Sequence, residues 1–187
     1  MSDEMFLTGQ LLVAMPTMTD PRFNQSVIYM CAHSSEGAMG VIVNRPVTKP
    51  RFDDLLKQLN ILPNPPSRQI ALCAGGPVDS GRGFVLHSAE WSSPASMVVD
   101  EAHKLTASLD ILQAIAEGGG PEHCLLALGY AGWDAGQLDH EIRQNAWLNV
   151  PADEAMIFGT DHGGKWRQAL AKLKIDPAFF SSQAGSA

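Results

Sequence analysis

Short apolar runs closed by glycine or proline recur along this chain, and that punctuation constrains the fold more than any other feature. Gln10–Met15 ends at Pro16, while Ser26–His33 and Ala38–Asn44 flank Ser34-Ser35-Glu36-Gly37 before Arg45-Pro46 stops the second of them. Runs so short and apolar read as strands, and a four-residue connection ending in Gly reads as a hairpin. Ile70–Ala74 and Gly83–His87 give two further strands around Gly75-Gly76-Pro77, and Met97–Val99 gives a short edge strand. Cys124–Leu128 is an apolar strand running into Gly129, and Ala155–Phe158 reads as a last short strand.

Helical periodicity falls between these runs. Phe52, Leu55, Leu56 and Leu59 stand at i, i+3, i+4 and i+7, one face of a helix. Leu105, Leu109, Leu112 and Ala116 mark a second helix, ended by Gly118-Gly119-Gly120-Pro121. Asp20-Pro21 supplies a cap and a first-turn proline for a short helical turn. Asp134 and Gln137 have capping-box spacing ahead of Leu138 and Ile142. Trp166, Leu170 and Leu173 mark a C-terminal helix capped by Asp161. The Pro-rich Leu62–Pro66 reads as a loop and Ser181–Ala187 as a frayed tail. Hairpins mixed with helix-alternating strands predict an α/β fold, a compact sandwich in which a mixed, largely antiparallel sheet packs against helices. With 187 residues, no internal repeat and no composition break, the whole chain 1–187 is expected to be a single domain.

Several function classes are disfavoured. No apolar run approaches the ~18–20 residues that span a bilayer, and Met1-Ser2-Asp3-Glu4-Met5 carries acids where a signal peptide carries bases. The expectation is a cytoplasmic protein with no membrane association. Cys31, Cys73 and Cys124 lie in apolar runs without a C-x-x-C, which suits buried thiols. A net charge of −7 with no basic run argues against direct nucleic-acid binding.

The residues that carry chemistry are sparse. His33, His87, His103, His123, His140 and His162 show neither H-x-x-x-H nor H-E-x-x-H spacing, so no metal site is predicted. There is no G-x-S-x-G, no Walker A loop and no G-x-G-x-x-G, so no cofactor is predicted. Gly129, Gly132 and Gly136 are spaced G-x-x-G-x-x-x-G at an expected strand-to-helix junction. Asp134 and Asp139 lie close by with no Lys or Arg before Arg143, which favours close packing over an anion cradle. Tyr130, Trp133 and Trp147 cluster there, with Trp133 expected to be partly exposed in a loop. Such aromatics suit either a core edge or a binding surface.

Ordered blocks over most of the chain carry a resemblance. They are Gly9–Pro16 with Asp20 and Phe23, Ser26-Val27-Ile28 leading to His33, Gly37–Pro46, Gly75-Gly76-Pro77-Val78 and Arg82–His87. The strongest is Leu128-Gly-Tyr-Ala-Gly-Trp133, continuing to Gly136-Gln137-Leu138, Glu141, Asn145 and Trp147. In these blocks the chain resembles the YqgE/AlgH family of bacterial proteins, departing from it at Ala74 and Lys174. The resemblance implies a compact α/β sandwich with no established catalytic activity and no known cofactor, and a link to transcriptional regulation. The expected function is that of a non-enzymatic cytoplasmic protein acting through a protein partner in regulation. Polar and glycine residues at strand ends suggest its surface: Asn44, Arg45, Gly75, Gly76, His87, Tyr130, Gly132, Trp133, Gln137 and Glu141. The alternative is a small-ligand sensor or enzyme using a rim of His33, His87, Arg45 and Glu141. Direct transcriptional regulation ranks third.

Overall fold

The computed structural model describes residues 6–63 and 68–179. Nine strands run β1 (Gln10–Ala14), β2 (Val27–Ser34), β3 (Gly37–Ile42), β4 (Ala71–Ala74), β5 (Val78–Ser88), β6 (Ser96–Val98), β7 (His103–Thr106), β8 (Cys124–Asp134) and β9 (Trp147–Pro151). Five helices lie among them: α1 (Phe52–Gln58), α2 (Leu109–Ala116), α3 (Gln137–Arg143), α4 (Glu154–Phe158) and α5 (Lys165–Lys172). The strands form one curled sheet in the order β6-β7-β5-β8-β3-β2-β1-β9, with β4 added beside β8. All pairings between strands are antiparallel except that of β4 with β8. The mixed, largely antiparallel α/β fold expected from the hairpin signals is therefore present.

Period-two alternation sends neighbouring residues of each strand to opposite faces. Leu11 and Val13 of β1, Tyr29 of β2 and Leu86 of β5 share an inner cluster with Met156 and Ile157 of α4 and Trp166 and Leu170 of α5. Trp166 Nε1 donates to the Ala14 carbonyl at 2.8 Å, pinning α5 to β1. The buried Lys165 Nζ donates to the carbonyls of Val43 and Ile157, both at 2.9 Å. Burial pulls its pKa down to about 8. The outer face is divided. Leu12, Ile28 and Ile42 pack with Leu138 of α3, whereas Val85 and Leu126 pack with Phe52 and Leu56 of α1 and Ile111 and Ile115 of α2.

Several boundaries differ from the sequence expectation. The hairpin between β2 and β3 turns on Ser35-Glu36 alone, with Ser34 and Gly37 already in register. Leu105 belongs to strand β7 and to the inner cluster, so its helical spacing with Leu109 is coincidental; α2 starts after Ser108. Ala155–Phe158 is helical because Asp153 caps it, its carboxylate accepting from Met156 N at 2.8 Å. Strand β9 was not anticipated, since Asn149 and Pro151 interrupt its apolar pattern; it is an edge strand, where a proline is tolerated. Asp20-Pro21 opens a turn, and Asp161 caps the 3₁₀ turn His162–Gly164 that leads into α5. The expected loop Leu62–Pro66 falls in part, and the tail 181–187 wholly, outside the described residues. Among the described residues no helix is long and apolar enough to cross a membrane.

Candidate functional site

Strand β8 organises the region that the sequence singles out. Its first half pairs with β4 on one edge and β5 on the other, and its second half, 131–134, pairs with β3. Gly129, at φ +79°, sits where the alternation slips by one residue. Leu125 and Ala127 face the inner cluster, as does Tyr130, while Ala131 and Trp133 face outward. Such a bulge re-aims every side chain beyond it. The segment Gly129–Trp133 is therefore strand rather than loop, and the junction to α3 lies at Gly136, the left-handed cap.

Gly75 and Gly76 form a wedge where β3 and β8 part. Gly75 N donates to Leu128 O at 2.8 Å and Gly75 O accepts from Ile42 N at 2.9 Å. A Cβ at Gly75 would lie 2.3 Å from Gly129 O, and one at Gly76 would lie 2.1 Å from the Tyr130 carbonyl carbon. Both positions require glycine because backbone packs against backbone.

Beyond this wedge the inner face carries an open groove of about 720 Å³. Met39, Phe84 and Tyr130 floor it; Glu36, Asp79, Asp134 and Arg82 stand around it, and Gly132 and Trp133 also line it. Phe84 and Tyr130 meet edge to face at 5.6 Å, and the Arg82 guanidinium lies 5.1 Å from the Phe84 ring centre.

Behind it, on the outer face, Glu141 is a hub. Its Oε1 accepts from Trp133 Nε1 at 3.1 Å and Trp147 Nε1 at 2.9 Å, and its Oε2 accepts from Gln137 Nε2 at 2.9 Å. Gln137 Oε1 in turn accepts from Asp134 N at 2.9 Å, but the cap of α3 is Gly136 and Gln137 its first residue, so the capping box expected at Asp134 is not formed. Trp133 and Trp147 are buried, 7% and 2% exposed, and cross at 6.0 Å. Trp133 is thus not the partly exposed side chain expected. Phe23 closes the cluster and, with Arg22, Pro77 and Val78, helps line a cavity of about 280 Å³. The side chain and backbone N–H of Arg22 hold the Asp20 carboxyl below the usual carboxylate range.

The remaining expected site residues take bracing roles. Asn44 accepts from Val27 N and donates to Gln25 O, both at 2.9 Å, while Arg45 donates to the carbonyls of Arg22 and Asn24. Together they hold the loop that carries Phe23. His87 is fully buried; Nδ1 lies 2.9 Å from Ser88 O, so it carries the proton, and Nε2 accepts from Thr106 Oγ1 at 2.7 Å. Burial lowers its pKa. His33 Nδ1 accepts from Leu7 N at 3.0 Å, and its Nε2 lies 3.4 Å from Asp139 Oδ1 without the alignment of a hydrogen bond.

The structure does not gather His33, His87, Arg45 and Glu141 on one rim. His87 registers with Cys124 at one end of β8, whereas His33 registers through Ala38 with Trp133 at the other end. Nine residues of strand place those ends roughly 30 Å apart. What it does gather is Tyr130, Gly132, Trp133, Gln137 and Glu141, backed by Gly75 and Gly76. Sequence reasoning missed Met39, Asp79, Arg82 and Phe84; alternation places Arg82 and Phe84 on one face of β5, whereas the register of β5 shifts between Val78 and Gly83, so Asp79 carries no period-two signal. Burial pushes the thiols of Cys31 up to about 12 and of Cys73 and Cys124 to about 11, and Cys124 is only half-buried. Among the described residues no group of three or more His, Cys, Asp or Glu side chains is placed to hold a metal ion.

Comparison with known proteins is consistent along the chain. A family profile described as AlgH-like matches residues 11–178. A UPF0301 protein of Gluconobacter oxydans is 53% identical, over 98% of this chain and 100% of its own length. One of Rhodospirillum rubrum is 50% identical over 98% and 96%. The solution structure of the AlgH protein of Pseudomonas aeruginosa superposes with a TM-score of 0.79 at 41% identity, covering 100% of this chain and 99% of that one. A crystal structure from Corynebacterium diphtheriae shares the fold, with a TM-score of 0.71 at 22% identity over 92% and 90% of the two chains.

Proposed function

The chain belongs to the AlgH-like family, and from that premise we propose that it is a non-enzymatic cytoplasmic protein that acts in regulation by holding a segment of a partner protein in the groove of its inner face. In this reading the compact sandwich of sheet and helices leaves one stretch of the inner face uncovered, at the ends of β2, β3, β5 and β8. The observation that carries it is the make-up of the groove: an apolar floor of Met39, Phe84 and Tyr130 beneath Glu36, Asp79 and Asp134, against one cation, Arg82. Complementary charge steers association and rejects wrong partners, so the segment that fits carries Lys or Arg beside an apolar anchor. The net charge of −7 favours the same class of partner.

A photocrosslinking residue in place of Met39 tests this in cells of the source bacterium. The crosslinked peptide is expected to contain Lys or Arg near an apolar residue. Capture is expected to disappear in the Asp79→Lys/Asp134→Lys double variant while its thermal melt stays within a few degrees of the parent. Crosslinks no more selective than those from Leu62, which is 89% exposed and away from the groove, would remove the groove from the account.

A further inference from the structure

On the outer face of the sheet, between α1 and α2, lies a second cavity of about 260 Å³. Val85 and Leu126 form its floor, Leu55, Leu59 and Leu112 its walls, and Leu109 stands at its mouth, 50% exposed. Two glycines line it. Gly83 precedes Val85 by two positions on the same strand and shares its face; Gly81 lies where the register of β5 against β8 shifts, and neither glycine fills the cavity.

Nothing in the backbone requires glycine at these positions. Neither has the positive φ that L-residues avoid. A Cβ at Gly83 would meet Leu126 at 3.5 Å, an ordinary contact, and one at Gly81 would meet nothing within 4 Å. The contrast with Gly75 and Gly76 is direct, since there a Cβ would overlap the backbone of β8. Glycine inside a strand is unfavourable relative to alanine. Two at alternate positions, where a side chain would be accommodated, keep a place open rather than relieve a clash.

The walls also define the chemistry that fits. Thr106 Oγ1 is taken up by His87 Nε2 and Ser96 Oγ, each at 2.7 Å, and Ser108 Oγ donates to Asp110. The guanidinium of Arg82 lies over Phe84 on the opposite face. The hydroxyls of Thr106 and Ser108 are therefore turned to protein partners, and the side chains left to line the cavity are mainly leucine and valine. Enclosed apolar cavities of roughly 150 Å³ take up small apolar molecules; this one is larger and opens to solvent beside Leu109.

We propose that this cavity is a binding site for a short unbranched alkyl chain, which enters past Leu109 and leaves any polar end outside. The site shares only Arg82 with the lining of the groove and does not depend on the partner reading. A series of straight-chain alcohols, butanol to decanol, titrated into the full chain and followed by leucine methyl NMR shifts, tests it. Affinity is expected to rise about fourfold per methylene while the chain fits, then level off, with shifts concentrated at Leu55, Leu109 and Leu126. Gly83→Val and, separately, Gly81→Val are expected to weaken octanol binding at least tenfold while the melt stays equal or rises. Absence of saturable binding in the parent overturns the proposal, as does equal binding in a folded valine variant; if one variant fails to fold, the other decides.

Discussion

At position 141 one carboxylate accepts from two indole N–H groups and an amide, and all three donors come from residues near it in sequence. Removing it leaves two buried tryptophans without their acceptor, a loss of about 2–3 kcal/mol where the acceptor is charged. Glu141→Ala is expected to lower urea-unfolding stability by that amount, and Glu141→Gln, which keeps a carbonyl acceptor, to recover part of it. His87 carries a different prediction. Burial lowers its pKa in the folded state, so its stability contribution is complete above the unfolded value near 6.5 and is lost as the pH falls below it. Stability compared between parent and His87→Gln from pH 7.5 to 5 is expected to show an extra loss in the parent of up to ~1.4 kcal/mol per pH unit. A constant difference would mean that His87 keeps the same proton affinity in both states. Both residues were visible in the sequence as members of a group, but their roles were not. Polar atoms at strand ends are equally compatible with a surface and with buried satisfaction, and only the partners decide.

Among the elements, β8 carries the most structure. Its bulge at Gly129 turns Tyr130 inward and Trp133 outward, and the Gly75-Gly76 wedge fits against the bulge. Gly76→Ala forces its new methyl into the backbone of Tyr130 and is expected to cost more than about 3 kcal/mol, or to prevent folding. Calorimetry on Gly76→Ala that matched the parent would show the wedge to be loose. Much at this scale was legible: the β2–β3 hairpin, α1 with Phe52 and Leu56 buried, and the glycine stop after α2 follow from local pattern. The errors share a cause. Ala155–Phe158 is too short for apolarity alone to separate strand from helix, and the cap at Asp153 was the deciding signal. Leu105 fitted a helical stripe by spacing, yet tertiary pairing with β5 made it strand. The slip in alternation at Gly129 has no signature in a single sequence, so the loop expected there became the second half of a strand.

The whole molecule is a curled sheet whose inner face is covered by α4 and α5 over β1 and β2 and open where β2, β3, β5 and β8 end. The fold class was readable because hairpin and helix signals were both present. The groove was not, because it depends on which strands the curl brings together: Met39, Phe84 and Tyr130 are distant in sequence. Once the segment crosslinked to position 39 is identified, its synthetic peptide can be titrated by calorimetry against the parent and the Asp79→Lys/Asp134→Lys variant at low and high salt. A basic segment bound in the groove predicts affinity at least tenfold weaker in the variant and a steep loss with salt in the parent. Equal affinity in the two proteins at both salt concentrations would contradict the groove as the partner surface.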